Sequence, residues 1–527
     1  MRFLAPASLT VLALALPAPA SAMQQPPMTL PGDAGVRAKA VVAGSWIVGG
    51  SPGAKTDAIA KGFGAERLIP GAGVYAVPTA RARSLAAGLK AAGRLVYAEP
   101  DSVATPTAFP SDPLTPQQDW LPRIGVTNLT PPAMTATSPL LGIVEESVDV
   151  SHTDLADGGH IKGYSKGAVI DEHGTEVAGV AAAPANGKGI VGVWPGARAT
   201  VFGADPSCES TTAAIAKAVK GRVSVINMSY EFAADACYTH LVATEAAFGA
   251  GVVLVGAAGN ERATGNNVPS RPGVDPHVVT VGATIDSSAP AVFSTEGPFV
   301  DIAAPGVGVL TTTSTVPNGF AAPSGTSFST PMVAGAALWL RAARPDLTAD
   351  QASDVLRDSA VDIFSPGWDA RTGFGLLNVE RALAQPQRLA DPMEPNDDIL
   401  WVDGSVLSPA SPAVVSKRGR SRTPIYARLD QEKDQVDVYR ALVRPKSHLV
   451  VRVKPLSGDP DLEAWSKKAK TVLAGNRGLL GFSRNSGAKP DRITLRNKTK
   501  KPRAIYLVAY VDATKAQRSS NYVLNVR

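Results

Sequence analysis

Three well-separated stretches of the chain place an acid, a histidine and a serine where they could work together. LGIVEESVDVSHTDL (Leu141–Leu155) runs an apolar strand, Leu141–Val144, straight into Glu145 and Glu146. A carboxylate at the end of a buried strand is costly unless it has a partner. DEHGTEVAGVAAA supplies His173, followed by Gly, Thr and small residues at helical spacing. PSGTSFSTPMVAGAALWL supplies Ser327 ahead of a helix in which Pro331 is tolerated only near the first turn. A serine at a helix start also gains from the positive end of the helix dipole, which favours a developing negative charge. An acid that orients an imidazole, and an imidazole that takes the proton of a hydroxyl, are the parts of nucleophilic acyl transfer. Read one by one they have plainer roles, His173 as a helix-start residue and Ser327 as an N-cap.

These side chains need a frame. Between residues 112 and 386, short apolar strands alternate with Ala/Gly-rich helices; the strands include Leu141–Val144, Ala199–Phe202, Val223–Met228, Gly251–Gly256 and His277–Gly282. That alternation predicts an α/β fold, a parallel sheet with helices on both faces. In such sheets sites gather beyond the carboxyl ends of the strands, and Glu145 stands at one of them. Ala334, Gly335, Ala336 and Ala337 let the serine's helix run through a crowded core. From Asp391 the pattern changes to short alternating strands, among them YARLD, DVYRALV, SHLVVRVKPL, RITLRN, AIYLVAYV and NYVLNVR, which predict a β-sandwich. Ahead of the α/β segment, Val41–Val103 predicts a small α+β unit with strands at SWIVGG, AGVYAVPT and RLVYAEPDSV and a helix at ARSLAAGLKAAG. ATPTAFPSD (104–112) is Pro/Thr-rich and open to a proteolytic cut.

The N-terminus, MRFLAPASLTVLALALPAPASAMQQ, has one Arg, an apolar run and Ala20-Ser21-Ala22 before Met23. That is the layout of a secretory signal peptide cut after Ala22; the alternative is a buried helix. No later segment offers about 20 uninterrupted apolar residues, so no membrane span is expected. Cys208 and Cys237, in an oxidising compartment, are most simply a disulfide, with two free thiols as the alternative. No CxxC spacing points to a metal. Net charge is +6, unevenly spread: residues 111–388 carry 16 Lys and Arg against 27 Asp and Glu (−11), and residues 391–527 carry 26 against 14 (+12). The split argues for separate domains. It leaves the tail either a basic face for an anionic polymer or a solvated surface leaning on an acidic neighbour.

HGTEVAGV and SGTSFSTPMVAGA resemble the His and Ser motifs of the subtilisin-like serine proteases, the subtilase family, and the order acid, His, Ser is that family's. SVINMSY resembles its substrate-binding strand, and GAAGN ends in Asn260 at the position of its oxyanion-hole side chain. SDPLTPQQDWLPRIGV, FSTEGPFVDIAAPGVGVLTT and RTGFGLLNVERAL extend the resemblance over about Ser111–Gln387. It implies a subtilisin-like α/β domain at 111–388 and a secreted endopeptidase, extracellular or periplasmic, acting on proteins or peptides. Ser327 would be the nucleophile, His173 the general base and then acid, and Asn260 Nδ2 with the Ser327 N–H the oxyanion hole. Ser229 and Gly259 would bind substrate. Read by itself, Asn260 is a turn residue after Gly259. No cofactor is required, calcium is common in the family without residues to assign here, and nucleic acid is not an expected partner.

Two departures stand out. The family reads Asp-Thr-Gly or Asp-Ser-Gly and then V-D-x-x-H-x-D-L; this chain matches the tail from Val148 to Leu155 without a gap, which puts Glu145 in the acid position and Ser147 in the glycine's. Glu145 is one methylene longer, and its carboxylate would pass the imidazole Nδ1 unless strand or rotamer adjusts. Glu145 can orient His173, Glu146 or Asp149 can substitute, or the site is impaired and the domain binds rather than cuts. After Ser229 the family has a small, Gly-rich stretch, whereas this chain has Tyr230-Glu231-Phe232; Glu231 suits a basic substrate side chain, or is a strand-end charge facing water. VYAEPD closes a segment similar to the subtilase propeptide, a folding aid and intramolecular inhibitor, giving 1–22 as signal and 23–110 as propeptide with a core at about 41–103. EPNDD (Glu394–Asp398), DVYRALV and NYVLNV resemble the bacterial pre-peptidase C-terminal domain, giving 391–527 as an appended sandwich, with a surface or polysaccharide adhesin as a further reading.

Overall fold

The computed structural model describes Leu30 and residues 41–527, apart from 103–108, 157–159, 164–171, 266, 287, 417, 419, 420, 432, 476 and 513–518. The expected signal peptide and most of the 104–112 segment lie outside the described residues. Two compact units result, divided between Pro106 and Thr107.

The first unit runs β1 (Val41–Gly50), α1 (Ala54–Gly62), β2 (Glu66–Ile69), β3 (Val74–Pro78), α2 (Thr79–Ala91) and β4 (Leu95–Ser102). Its antiparallel sheet has the order β2-β3-β1-β4. Alternate residues Trp46, Val48, Tyr75 and Val77 bury against Leu85 and Leu89 of α2. Sequence patterning misses α1 and β2. Every residue of β2 is exposed and α1 buries only Thr56 and Ala60, so neither carries an apolar period.

The second unit opens with the short α3 (Trp120–Arg123) and builds one sheet. In chain order come β5 (Leu141–Glu145), β6 (Ile161–Lys162), α4 (Glu172–Ala182), β7 (Ala199–Gly203), α5 (Cys208–Lys220), β8 (Val225–Met228), β9 (Phe232–Ala233), α6 (Tyr238–Gly249) and β10 (Val253–Ala257). There follow β11 (Ser270–Arg271), β12 (Val278–Thr284), β13 (Ile302–Pro305), the hairpin β14 (Thr311–Thr313) and β15 (Gly319–Ala321), α7 (Thr326–Ala343), α8 (Ala349–Ser359), α9 (Val379–Ala384) and α10 (Ile399–Val402). Seven strands lie parallel in the order β13-β12-β10-β8-β5-β7-β6. Strands β5, β8, β10 and β12 are buried at every residue, as a sheet covered on both faces requires. Helices α4 and α7 pack together, as do α5 and α6. No helix among the described residues is long and apolar enough to cross a membrane.

The C-terminal part holds β16 (Ile425–Asp430), β17 (Val436–Val443), β18 (Ser447–Ser457), β19 (Asp461–Ser466), β20 (Leu479–Ser483), β21 (Asp491–Asn497), β22 (Arg503–Tyr510) and β23 (Ser519–Val526). They form two antiparallel sheets, β16-β23-β18-β21 and β17-β22-β19-β20, around Tyr439, Val451, Leu462, Leu507 and Tyr522. Strand β19 escapes the alternation rule because Asp461, Leu462, Ala464 and Trp465 are all buried.

This sandwich shares its compact unit with the parallel sheet, and buried charges join them. Arg428 of β16 lies 3.0 Å from Asp350 and 2.9 Å from Asp354, both on α8. Lys433 Nζ donates to Gly273 O (2.8 Å), Val278 O (3.2 Å) and Thr280 Oγ1 (3.1 Å). Removing one member of a buried ion pair leaves the other charge unpaired. Arg428→Met is therefore expected to lower the unfolding free energy by about 3–5 kcal/mol, measured by denaturant titration of the intact chain.

Candidate active site

Glu145 is the last residue of β5, His173 the second of α4 and Ser327 the second of α7. All three stand at the carboxyl edge of the parallel sheet. Glu145 is fixed in the backbone: Ala204 N–H donates to its carbonyl at 2.9 Å. What brings α4 to it is Gly174. A Cβ there would fall 1.9 Å from the Ser147 carbonyl oxygen and 3.2 Å from Glu145 Cβ, so only glycine lets the helix start rest on the strand-end turn. Thr175 Oγ1 reinforces the approach by accepting Asp149 N–H at 2.9 Å.

In that position Glu145 Oε2 lies 2.9 Å from His173 Nδ1. The extra methylene does not carry the carboxylate past the ring. Glu145 is 7% exposed and His173 36%, so the acid is enclosed while the imidazole faces a cleft. A carboxylate at Nδ1 selects the tautomer with the proton there and leaves Nε2 to accept. Asp149 is used elsewhere, its Oδ1 accepting Ser151 N–H (2.9 Å) and Oγ–H (2.6 Å), and Glu146 is exposed.

Ser327 lies inside the first turn of α7 rather than ahead of the helix, because Gly325 is the N-cap. First-turn N–H groups have no intrahelical acceptor, so the Ser327 N–H is available to a ligand. Pro331 sits in the second turn, deeper than sequence reasoning allows, and its missing N–H leaves the Ser327 carbonyl without a helical donor. Ser229 fills that gap: its Oγ donates to Ser327 O at 2.9 Å, and Ser327 Oγ donates to Ser229 O at 3.2 Å. The Phe328 and His173 rings are 5.7 Å apart, which brings the helix start beside the imidazole. Asn260 follows β10. Its Oδ1 accepts both Thr326 N–H (2.9 Å) and Thr326 Oγ–H (3.1 Å), so the amide is oriented with Nδ2 left as a donor. Gly259 before it has φ +105°, and a Cβ would sit 2.3 Å from Glu231 Oε2.

A cleft of about 240 Å³ opens between Glu145, His173, Ser229 and Tyr230. Behind it runs a buried relay that sequence reasoning missed. Tyr230 Oη meets His240 Nε2 at 2.9 Å, and His240 Nδ1 meets Asp275 Oδ2 at 3.3 Å. Asp275 also takes Thr244 Oγ1 (3.3 Å) and the Arg271 guanidinium. Burial, reinforced by Glu145 and Asp275, pushes the Tyr230 hydroxyl well above its ordinary pKa, so it stays a neutral donor. Cys208 and Cys237 form a disulfide that ties the start of α5 to the start of α6.

Sequence reasoning assigned no calcium ligands. The carboxylates of Asp391, Glu394 and Asp434 lie within 4.8 Å of one another, all oxygen donors suited to a hard cation. Asp434 Oδ1 and the neighbouring Asp437 Oδ1 have no protein donor among the described residues, which fits such an ion. In a second group His277 is engaged on both sides, 3.0 Å from Glu245 and 3.2 Å from Glu394, so it reads as an ion-pair hub.

A model of the Subtilase family matches residues 137–375. Subtilisin DY of Bacillus licheniformis is 33% identical over 251 residues, covering 46% of this chain and 89% of that protein. Subtilisin E of Bacillus subtilis (strain 168) is 32% identical over 277 residues, covering 49% and 70%. Among solved structures, fervidolysin from Fervidobacterium pennivorans, a keratinolytic enzyme related to subtilisin, is 20% identical, covers 89% of this chain and 87% of its own, and has a TM-score of 0.49.

Because Gly174 controls the approach of α4, Gly174→Ala is expected to destabilise the fold by about 1–3 kcal/mol. It should also shift the His173 Nδ1–H resonance away from its carboxylate-bound position, read by NMR of the imidazole protons.

Proposed function

Because the chain belongs to the subtilase family of serine proteases, we propose that it is a secreted endopeptidase in which Glu145 stands in the place of the triad aspartate. One observation carries this reading: the 2.9 Å contact between Glu145 Oε2 and His173 Nδ1. The hydroxyl of Ser327 turns from the Ser229 carbonyl to His173 Nε2, which takes its proton as Oγ attacks the scissile carbonyl carbon. Asn260 Nδ2 and the Ser327 N–H receive the developing oxyanion. Glu145 remains ionised and offsets the imidazolium. His173 then returns its proton to the leaving amine, and water repeats the sequence on the acyl-enzyme. The unit ending at Pro106 is read as an intramolecular inhibitor, supported by its β-α-β-β-α-β order ahead of the catalytic unit.

A fluorophosphonate probe is expected to label Ser327 in the processed protein and to leave Ser327→Ala unlabelled. Correctly folded protein that is never labelled would favour a catalytically impaired binding protein. Glu145→Gln should lower kcat by about 10⁴, and Asn260→Ala by about 10²–10³, in assays of peptide hydrolysis. Unchanged turnover in the first variant would remove Glu145 from the mechanism.

A contact with an anionic polymer is also favoured by one surface. On the outer face of β18 and β21, His448, Arg452 and Lys454 point outward beside Arg492 and Arg496. The register sets Arg452 directly opposite Arg492 and His448 opposite Arg496. Like charges opposite one another are destabilising, and a polyanion would relieve them. Retention on a heparin column should fall with added salt and drop in an Arg452→Ser, Arg492→Ser double variant whose peptide hydrolysis is unaltered.

A further inference from the structure

We propose that Glu231 is the specificity-determining residue of the primary substrate pocket and selects arginine or lysine at the acyl side of the scissile bond. The assignment rests on the proteolytic reading of Ser327. Attack by Ser327 Oγ places the scissile carbonyl at the first turn of α7, with its oxygen toward Asn260. The side chain on the acyl side leaves from the adjoining carbon, so it must enter between the two segments that flank that point. These are Ser229–Glu231, which continues β8, and Gly259–Asn260, which ends β10. Strands β8 and β10 are parallel neighbours, so the pocket lies beyond their carboxyl ends.

Glu231 puts its carboxylate on that wall. Its Oε2 accepts Ser270 Oγ–H at 3.2 Å and lies directly over Gly259, one residue from Asn260. Nearby cations are committed elsewhere: Arg262 pairs with Glu296 at 2.7 Å, and Arg271 with Asp275. The charged group that acts on Glu231 is Glu261, of like sign; burial first, and then Glu261, raises the carboxyl pKa against the lowering effect of Ser270. A guanidinium or ammonium entering the pocket supplies the charge that is missing.

Glu231 is exposed, and the contact that fixes its carboxylate at this wall is the one to Ser270 Oγ. Tyr230, the preceding residue, is locked by the His240–Asp275 relay. Phe232, the following one, pairs with Arg271 in the β9–β11 link, where Ala233 pairs with Ser270. The Cys208–Cys237 disulfide closes the same loop.

The test uses internally quenched peptides that differ only in the acyl-side residue, Arg, Lys, Leu or Phe, with enzyme first titrated by the fluorophosphonate. The Arg and Lys peptides should exceed Leu and Phe in kcat/KM by about 100-fold. Glu231→Gln keeps an acceptor for Ser270 and removes only the charge. It should lose about 100-fold on Arg and Lys while Leu turnover, the internal control for folding, is unchanged. In the native enzyme the Arg-over-Leu ratio should fall on acidification, as Glu231 takes up its proton. Labelled enzyme that prefers Leu or Phe, or a Glu231→Gln variant with the native ratio, would overturn the assignment alone. An unlabelled enzyme that cuts none of the peptides would overturn the proteolytic reading and the assignment with it.

Discussion

Everything at this site depends on how closely the start of α4 can approach the end of β5. Glutamate reaches one methylene further than aspartate, so the spacing between strand end and helix start decides whether its carboxylate meets Nδ1 or overshoots. Gly174 against the Ser147 carbonyl sets that spacing through backbone contact. The 2.9 Å contact then follows from a rigid frame. The carboxylate that seemed costly at a strand end is enclosed together with the group that needs it.

The serine side is built by a different device. Pro331 withholds an N–H from the Ser327 carbonyl, and the reciprocal bonds between Ser229 and Ser327 take its place. This fastens the extension of β8 to the first turn of α7, the two elements between which a substrate backbone and its reacting carbonyl would lie. Thr326 meanwhile holds the Asn260 amide by its oxygen. Ser327, the Asn260 amide and the extension of β8 are thus tied into one rigid corner, the preorganisation that the proposed stabilisation of an oxyanion requires.

The site's main parts were legible because motif and element coincide. His173 and Ser327 sit in small-residue helices, and Glu145 ends a wholly apolar strand, so period and chemistry pointed to the same places. What was not legible depends on contacts between distant residues. Nothing in the spacing of Tyr230, His240 and Asp275 announces a relay, since the three meet only when α6 and the loop before β12 pack together. Asp391, Glu394 and Asp434 likewise converge through tertiary folding. Strands β2 and β19 were missed for opposite reasons, one exposed at every residue and the other buried almost throughout, and both erase the alternation that betrays a strand. The charge asymmetry was visible, but only part of it is the solvated basic face. Arg428 and Lys433 are spent inside the molecule.

Lys433 links the appended sandwich to the segment around Asp275. Burial pulls its ammonium pKa below the ordinary lysine value, yet the charge is held by the carbonyls of Gly273, Asp275 and Val278 and by Thr280 Oγ1. Gly273 and Asp275 lie in the loop before β12, and Val278 opens that strand. Asp275 anchors His240, His240 anchors Tyr230, and Tyr230 adjoins Glu231. A cation contributed by the sandwich therefore lies at the far end of a continuous chain of polar contacts that ends at Tyr230, beside Glu231. If the sandwich were absent, three carbonyls and a hydroxyl would lose the donor around which their loop is folded. The relay would then rest on a loop with unsatisfied acceptors. The sandwich is, on this ground, part of the scaffold of the site, and its outer basic face is the portion left free to meet other molecules.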